Sequence, residues 1–478
     1  MATTSRNLSL GTPGWHSHRA RLAGLYMMLA VLLGGGGSPS PIAELMLQWC
    51  LVPIVLVWLW LPARFEPWLR PSPMVYVIGA LALLLPFAQL VPLPPSIWQG
   101  LPGRTDAIDA LTLIGAQSGW RPLSLAPGQT MAALVAMLPP LFVLVAVASL
   151  QVSGRQLVIA ATLVMICIGV IFGAMNVLQG GSPLYSVSHG GWLTGFQANR
   201  NAEVDVILVG LLALAYLARP ARKDPDRAPR QRRSRSPRAQ SFGSAKSWML
   251  LSAGLVLIVA TIMTGSRMGI ALLPLCLLIC WLLVKPALPE SRIKSLAIPA
   301  LALVGVGVAI AAFIGSGNRA LGRVADRFAL TNDFRFELWQ DTWYAIAQYW
   351  PAGYGLGGFV PAMLPAERLE VLDPTRPNRA HNDYLELLLE SGVLGIAILI
   401  IVAILLIVAA IRSWRAYPQQ HGQILFGAGV LAIVALHSIV DYPLRSMSLA
   451  CIAALGAALL MPVPSIPPPS VRPGPTRA

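Results

Sequence analysis

The chain has 478 residues, of which 56% are hydrophobic and 12% charged, about half the charged fraction of an ordinary soluble domain. That composition excludes a water-soluble globular protein. The net charge of +15 does not point to nucleic acid either, because the basic residues fall between apolar runs instead of covering one folded surface.

Repeated apolar runs of roughly 17–25 residues predict membrane-crossing helices, and their lack of period-two alternation excludes a β-barrel. In chain order the spans are expected at 22–37, 41–62, 72–91, 130–150, 156–178, 201–218, 247–264, 268–285, 296–315, 387–411, 423–440 and 445–462. The fold class is therefore an all-α polytopic membrane protein with about twelve transmembrane helices and one long helical outer loop. No cleavable signal peptide is expected, and the first span stays as an anchor.

Lys and Arg set the orientation. With the N-terminus inside, every inner segment is basic: Arg6, Arg19 and Arg21; Arg64 and Arg70; Arg155; Arg219 to Lys246; Lys285, Arg292 and Lys294; Arg412 and Arg415; Arg472 and Arg477. The organisation that follows is an N-terminus (1–21), six spans (22–218), a basic inner linker (219–246), three spans (247–315), an outer loop (316–386), three spans (387–462) and an inner tail (463–478). The linker reads RKDPDRAPRQRRSRSPRAQS, a low-complexity topology signal that can also touch anionic headgroups. Cys50, Cys167, Cys276, Cys280 and Cys451 all fall in apolar segments. Cys276 and Cys280 share a helix face with no His or acid, so no metal site is expected.

Four arginines then face outward. Arg200 lies in GFQANRNAEV, Arg267 in the tight turn TGSRMG, Arg335 in NDFRFELWQDTW, and Arg445 opens the last span. An arginine at membrane depth is costly and marks a pairing or a site. Several of them on one leaflet, without acids close in sequence, suit an anionic ligand, and a guanidinium fork suits phosphate. Arg267 fits that reading. Arg445 is expected to pair with Asp441, four residues away. Arg200 and Arg335 remain open between ligand and local pairing.

The outer loop begins with FRFELWQDTWYAIAQYW (334–350), whose spacing predicts an amphipathic surface helix with Trp339, Trp343 and Ile346 on one face. Next comes PAGYGLGGF. Its Gly353, Gly355 and Gly358 match G-x-G-x-x-G, but no strand precedes them, so a dinucleotide fingerprint is rejected in favour of a tight re-entry turn. The loop ends at His381-Asn382-Asp383, where Asn382 or Asp383 would cap the following helix. His381 reads either as a solvated loop residue or as a base that takes a proton from a sugar hydroxyl, oriented by Asp383 or Glu386.

RAHNDYLELLLESGVLG resembles the signature of the O-antigen ligase / polymerase superfamily of bacterial inner-membrane proteins, with His381 followed eleven residues later by Gly392. GFQANRNAEVDVILVGLLAL, TGSRMGIALL and DFRFELWQDTWYAIAQYWPAGYGLGGF are similar to further motifs of that superfamily, in the same order. Ala202-Glu203 departs from it, where relatives often carry His and a small or aromatic residue. The resemblance implies a GT-C-like membrane glycosyltransferase, inverting, with neither metal nor nucleotide sugar. It would act at the periplasmic face of the inner membrane, with both termini cytoplasmic.

Such a protein takes a glycan from undecaprenyl diphosphate and passes it to an acceptor hydroxyl. The acceptor is lipid A-core in an O-antigen ligase, or another lipid-linked glycan in an O-antigen or exopolysaccharide polymerase; other polysaccharide-assembly proteins are expected partners. The implied catalytic residue is His381. Arg267, Arg335 and Arg200 would bind the diphosphate, and Asn382, Asp383 and Glu386 would support. The rival reading is a multi-span transporter or lipid-linked glycan flippase. Against it, the charged residues collect at the outer rim and no internal repeat is evident.

Overall fold

A computed structural model describes residues 17–37, 42–61, 69–179, 184, 191–219, 245–285, 334–368, 370 and 377–464. The helices are α1 (His18–Leu33), α2 (Ile42–Trp60), α3 (Pro73–Leu90), α4 (Pro95–Trp98), α5 (Thr105–Leu113), α6 (Pro127–Ala136), α7 (Leu138–Ala148), α8 (Val152–Gln179), α9 (Arg200–Ala218), α10 (Ala245–Met263) and α11 (Arg267–Val284). They continue with α12 (Arg335–Tyr349), α13 (Phe359–Met363), α14 (Asp383–Ala416), α15 (His421–His437) and α16 (Met447–Leu460). A two-residue antiparallel ribbon pairs β1 (Pro92–Leu93) with β2 (Arg121–Pro122).

Among the described residues eight helices are long and apolar enough to cross a membrane, counting α6 and α7 together, and α10 and α16 contribute shorter apolar stretches. The expected span at 296–315, the first part of the outer loop and most of the basic linker lie outside the described residues. The first helix runs from His18 to Leu33 instead of 22–37, because the glycine run that follows Leu33 stops a helix rather than extending it.

The main core is built by α1, α2, α7, α8, α9, α11, α15 and α16. α9 is its centre, with 78% of its apolar window buried, against 17% for α14 and 22% for α2. The outer faces of α2, α3, α10 and α14 carry exposed Leu, Ile, Val and Trp. That is what a helix facing hydrocarbon requires.

One end of the bundle is closed by Arg155, which is fully buried at the start of α8. Its guanidinium donates to Leu150 O at 3.1 Å, Met461 O at 2.9 Å, Ala148 O at 3.0 Å and Pro462 O at 3.2 Å. It thereby ties the last turn of α7 to that of α16, where orphan carbonyls and a negative dipole end favour a cation. Each buried acceptor left unpaired costs about 1–3 kcal/mol. Arg155→Met should therefore cost several kcal/mol, read as a lowered melting midpoint of the detergent-solubilised protein; an unchanged midpoint would show that the carbonyls find other donors.

A second, smaller core sits at the other end. Leu338, Ala345, Ile346 and Tyr349 of α12 pack with Phe359, Ala362 and Met363 of α13, and with Ala380, Leu385 and Leu389. Trp343 is exposed while Ile346 is buried, so the residues expected to share a membrane-surface face do not share one environment. Packing against α14 selects the face of Leu338, Thr342, Ala345 and Tyr349, and Trp339 is half-buried, donating through Nε1 to Ala380 O at 2.9 Å.

Of the two expected caps Asn382 is the one, accepting from Tyr384 N and Leu385 N at 3.0 and 3.1 Å, so α14 starts at Asp383, ahead of the span expected from 387. It also kinks at Gly392, whose φ of 55° and ψ of −146° are not helical and suit glycine. In an unbroken helix Val393 N would bond Leu389 O; here it donates to Pro351 O at 3.1 Å. Leu389 O accepts Tyr354 N at 2.9 Å, and Glu390 O accepts Gly355 N and Gln89 Nε2, each at 2.8 Å. The glycine-rich turn therefore packs onto the opened helix, as a re-entry turn, and Ser124, Leu125 and Thr130 brace its other side.

Candidate functional site

Three helices begin at this end behind asparagine or serine caps. Asn199 accepts from Asn201 N at 2.8 Å at the start of α9, Ser266 from Gly269 N at 3.3 Å at the start of α11, and Asn382 caps α14. These residue types satisfy the free N–H groups of a first turn, so short polar motifs fix where the helices start. Arg200, Arg267 and Arg335 are the first residues of α9, α11 and α12. A cation is unfavourable against the positive end of a helix. A helix start is where an anion is best accommodated.

His381 is the one non-glycine residue with positive φ, 49°, among the described residues. That strain fits a residue whose side-chain position matters. Its Nδ1 lies 3.0 Å from Asp441 Oδ1, with side-chain exposures of 19% and 3%. Phe334 and Tyr442 pack edge-on against the ring at 5.3 and 4.9 Å. With Nδ1–H donating to the carboxylate, Nε2 is left with a lone pair and no hydrogen bond among the described residues. Burial alone would push the Asp441 carboxyl up, but the hydrogen bond from His381, helped by the basic groups around it, outweighs burial and holds the group below its usual value. Asp441 thus stays ionised and keeps the ring in one tautomer. Its second oxygen accepts from Asn201 Nδ2.

Asp383 and Glu386, expected to orient His381, do other work. Asp383 Oδ2 accepts from Ser438 Oγ at 2.9 Å and Leu444 N at 3.2 Å. Glu386 accepts from Arg379 Nη1 at 2.9 Å and Ala380 N at 3.0 Å. Arg445 does not pair with Asp441 as expected. It reaches Glu390 Oε2 at 2.7 Å, Glu386 Oε1 at 3.2 Å and Asp383 Oδ1 at 3.8 Å. Burial disfavours its charge, but the three carboxylates more than compensate and hold its proton more firmly than usual. Two of the basic residues at this rim therefore do have acids: Arg379 and Arg445 are matched across space.

The predicted arginines fall into two groups. Arg335 stands close enough to Asp441 and His437 to influence both charges. Arg200 lies over the Trp192 ring at 5.4 Å, and the same ring lies against Gly265, in the turn that leads to Arg267. Asn199 and Asn201 join this second group to the first, through Tyr442 at 3.4 Å and through Asp441. Sequence reasoning missed Asp441 as the partner of His381, and it missed the buried pair of Asp205 and His437, joined at 2.7 Å. An acid and a histidine inside apolar spans were the signal available for the latter.

A family model described as O-antigen ligase matches residues 252–400. The matched stretch contains Arg267, Arg335, His381, Asn382, Asp383, Glu386 and the kink at Gly392, and ends before Asp441. No curated protein matches the chain.

Proposed function

We propose, from the membership of the O-antigen ligase / polymerase superfamily that the matched stretch supports, that this membrane protein is a glycosyltransferase which moves a glycan from undecaprenyl diphosphate to an acceptor hydroxyl. The observation that carries the proposal is His381, fixed by Asp441 with Nε2 open, at the end of the bundle where Arg200, Arg267 and Arg335 each open a helix. The acceptor oxygen would attack the anomeric carbon while its proton passes to Nε2. The bond from that carbon to the diphosphate oxygen would break with its electron pair, inverting the centre. The arginines would neutralise the charge that develops on the leaving diphosphate.

A periplasmic position for this end is supported by the opposite ends of the same helices. Arg155, Arg219, Lys285, Arg412 and Arg415 all lie there, as the positive-inside tendency requires of a cytoplasmic side. In the ligase reading the acceptor is lipid A-core; in the polymerase reading it is another lipid-linked glycan.

The test is the surface glycan profile of a deletion strain complemented with the wild type. Core lipopolysaccharide without long chains, with long chains retained on the lipid carrier, would identify a ligase. Single repeats on the core, or loss of a secreted polymer with normal lipopolysaccharide, would identify a polymerase. An unchanged profile in the deletion strain would sink the proposal and favour transport. Arg267→Ala and Arg335→Ala should each abolish complementation while the protein still reaches the membrane; a normal profile in both would remove the diphosphate role.

A further inference from the structure

Asp205 and His437 lie within membrane-crossing helices α9 and α15, and their side chains are 0% and 1% exposed. The proposed chemistry uses neither, yet ionisable side chains inside a span are costly to keep. Their placement repeats that of the pair above them. Asn201 and Asp205 are four residues apart on α9, one helical turn, and so share a face. His437 and Asp441 are four residues apart at the end of α15. Asn201 binds Asp441 and Asp205 binds His437, so the two elements are joined by two rungs, and the outer rung continues to His381.

The rungs are mechanically connected. Val440 N and Asp441 N both donate to His437 O at 3.0 Å. The residue whose ring Asp205 holds is thus the residue whose carbonyl carries Asp441. Asp205 Oδ2 and His437 Nε2 are buried without a hydrogen-bond partner among the described residues. Both residues line a cavity of about 10 Å³ together with Asn199, Asn201, Asp441 and Tyr442. That is about the room one water takes.

We propose that Asp205 and His437 are positioning residues for the His381–Asp441 pair: they fix the spacing between α9 and the end of α15 at which Asn201 and His381 can hold Asp441 together. The inference rests on the functional reading above. A pair that merely holds two helices together would affect folding and leave the turnover of folded protein unchanged. A pair that positions Asp441 sets turnover itself, because misplacing a reacting group by about 1 Å can cost roughly 10²-fold.

The experiment uses purified full-length protein and, as donor, membranes from the deletion strain, titrated to separate KM from kcat. Asp205→Asn keeps an oxygen that accepts from His437 Nδ1–H, and should retain kcat within about threefold. Asp205→Leu should lower kcat about 10- to 100-fold with KM for the donor unchanged. The double variant Asp205→Leu/His437→Leu replaces a buried polar pair with apolar packing, which proteins commonly tolerate. It should fold with a near-normal melting midpoint and still show the low kcat, so it decides the matter even if Asp205→Leu alone fails to fold.

A folded double variant with wild-type kcat overturns the inference. So does a rise in KM that accounts for the loss, or an Asp205→Asn variant as impaired as the leucine one. His381→Ala is run alongside: if it still transfers glycan, the functional reading itself has failed. If it is inactive while the double variant is normal, this inference alone has failed.

Discussion

His381→Ala should lower glycan transfer by roughly 10²–10⁴-fold, the usual contribution of a positioned general base, while the protein still folds and inserts. The ring is partly exposed at the rim of the bundle, so its loss removes little packing. What it removes is the open Nε2 and the donor that Asp441 holds. Asp441→Asn should follow the same course with a smaller loss. An amide can present either its oxygen or its NH₂ group to Nδ1, so the ring is no longer held in one tautomer. Both variants are checked by transfer from deletion-strain membranes, with size-exclusion profiles as the folding control. Full activity of His381→Ala would end the base reading, and full activity of Asp441→Asn with an inactive His381→Ala would leave the histidine unsupported by its carboxylate.

The second large effect concerns Arg445. Three carboxylates surround it, Asp383, Glu386 and Glu390, and Glu386 and Glu390 are 0% exposed. Arg379 is the other cation in the cluster, through Glu386. Removing one partner of a buried charge network typically costs about 3–5 kcal/mol, because the remaining charges stay buried and unanswered. Arg445→Met should therefore give little folded protein. Adding Glu390→Gln removes one of the stranded charges and should restore part of the yield. A normal yield of Arg445→Met would show that the cluster takes up protons or water at small cost.

The sequence carried the parts of the site that are local. The starts of the apolar runs put Arg200 and Arg267 at the heads of spans, His381-Asn382-Asp383 announced a helix start, and the basic inner segments put all three at one rim. The match over 252–400 spans the motifs read from Arg267 to Gly392. Pairings across space were not legible. His381 and Asp441 are 60 residues apart, and Gln89 meets the Glu390 carbonyl across 301 residues. Nothing in local spacing favoured Asp441 over Asp383 as the partner of His381, or the three acids of α14 over Asp441 as partners of Arg445. The kink was hidden for a related reason. The apolar pattern of α14 runs on through Gly392, and only the arrival of Pro351 and Tyr354 makes the opened turn stable. Ile346 shows the same limit: it was expected on the surface face with Trp343, but it packs inward, and a periodic face does not say which side a neighbour will take.

The opened turn also bears on motion. The carbonyls of Leu389 and Glu390 are answered by the 354–355 turn and by Gln89, and Val393 N by Pro351. Lifting that turn away would leave these groups without their partners, at about 1–3 kcal/mol for each that stays buried. The glycine-rich segment, despite its composition, therefore behaves as a fixed wall and not as a lid. Gating of the rim, where it occurs, has to come from segments whose backbone is not spent on mending a broken helix.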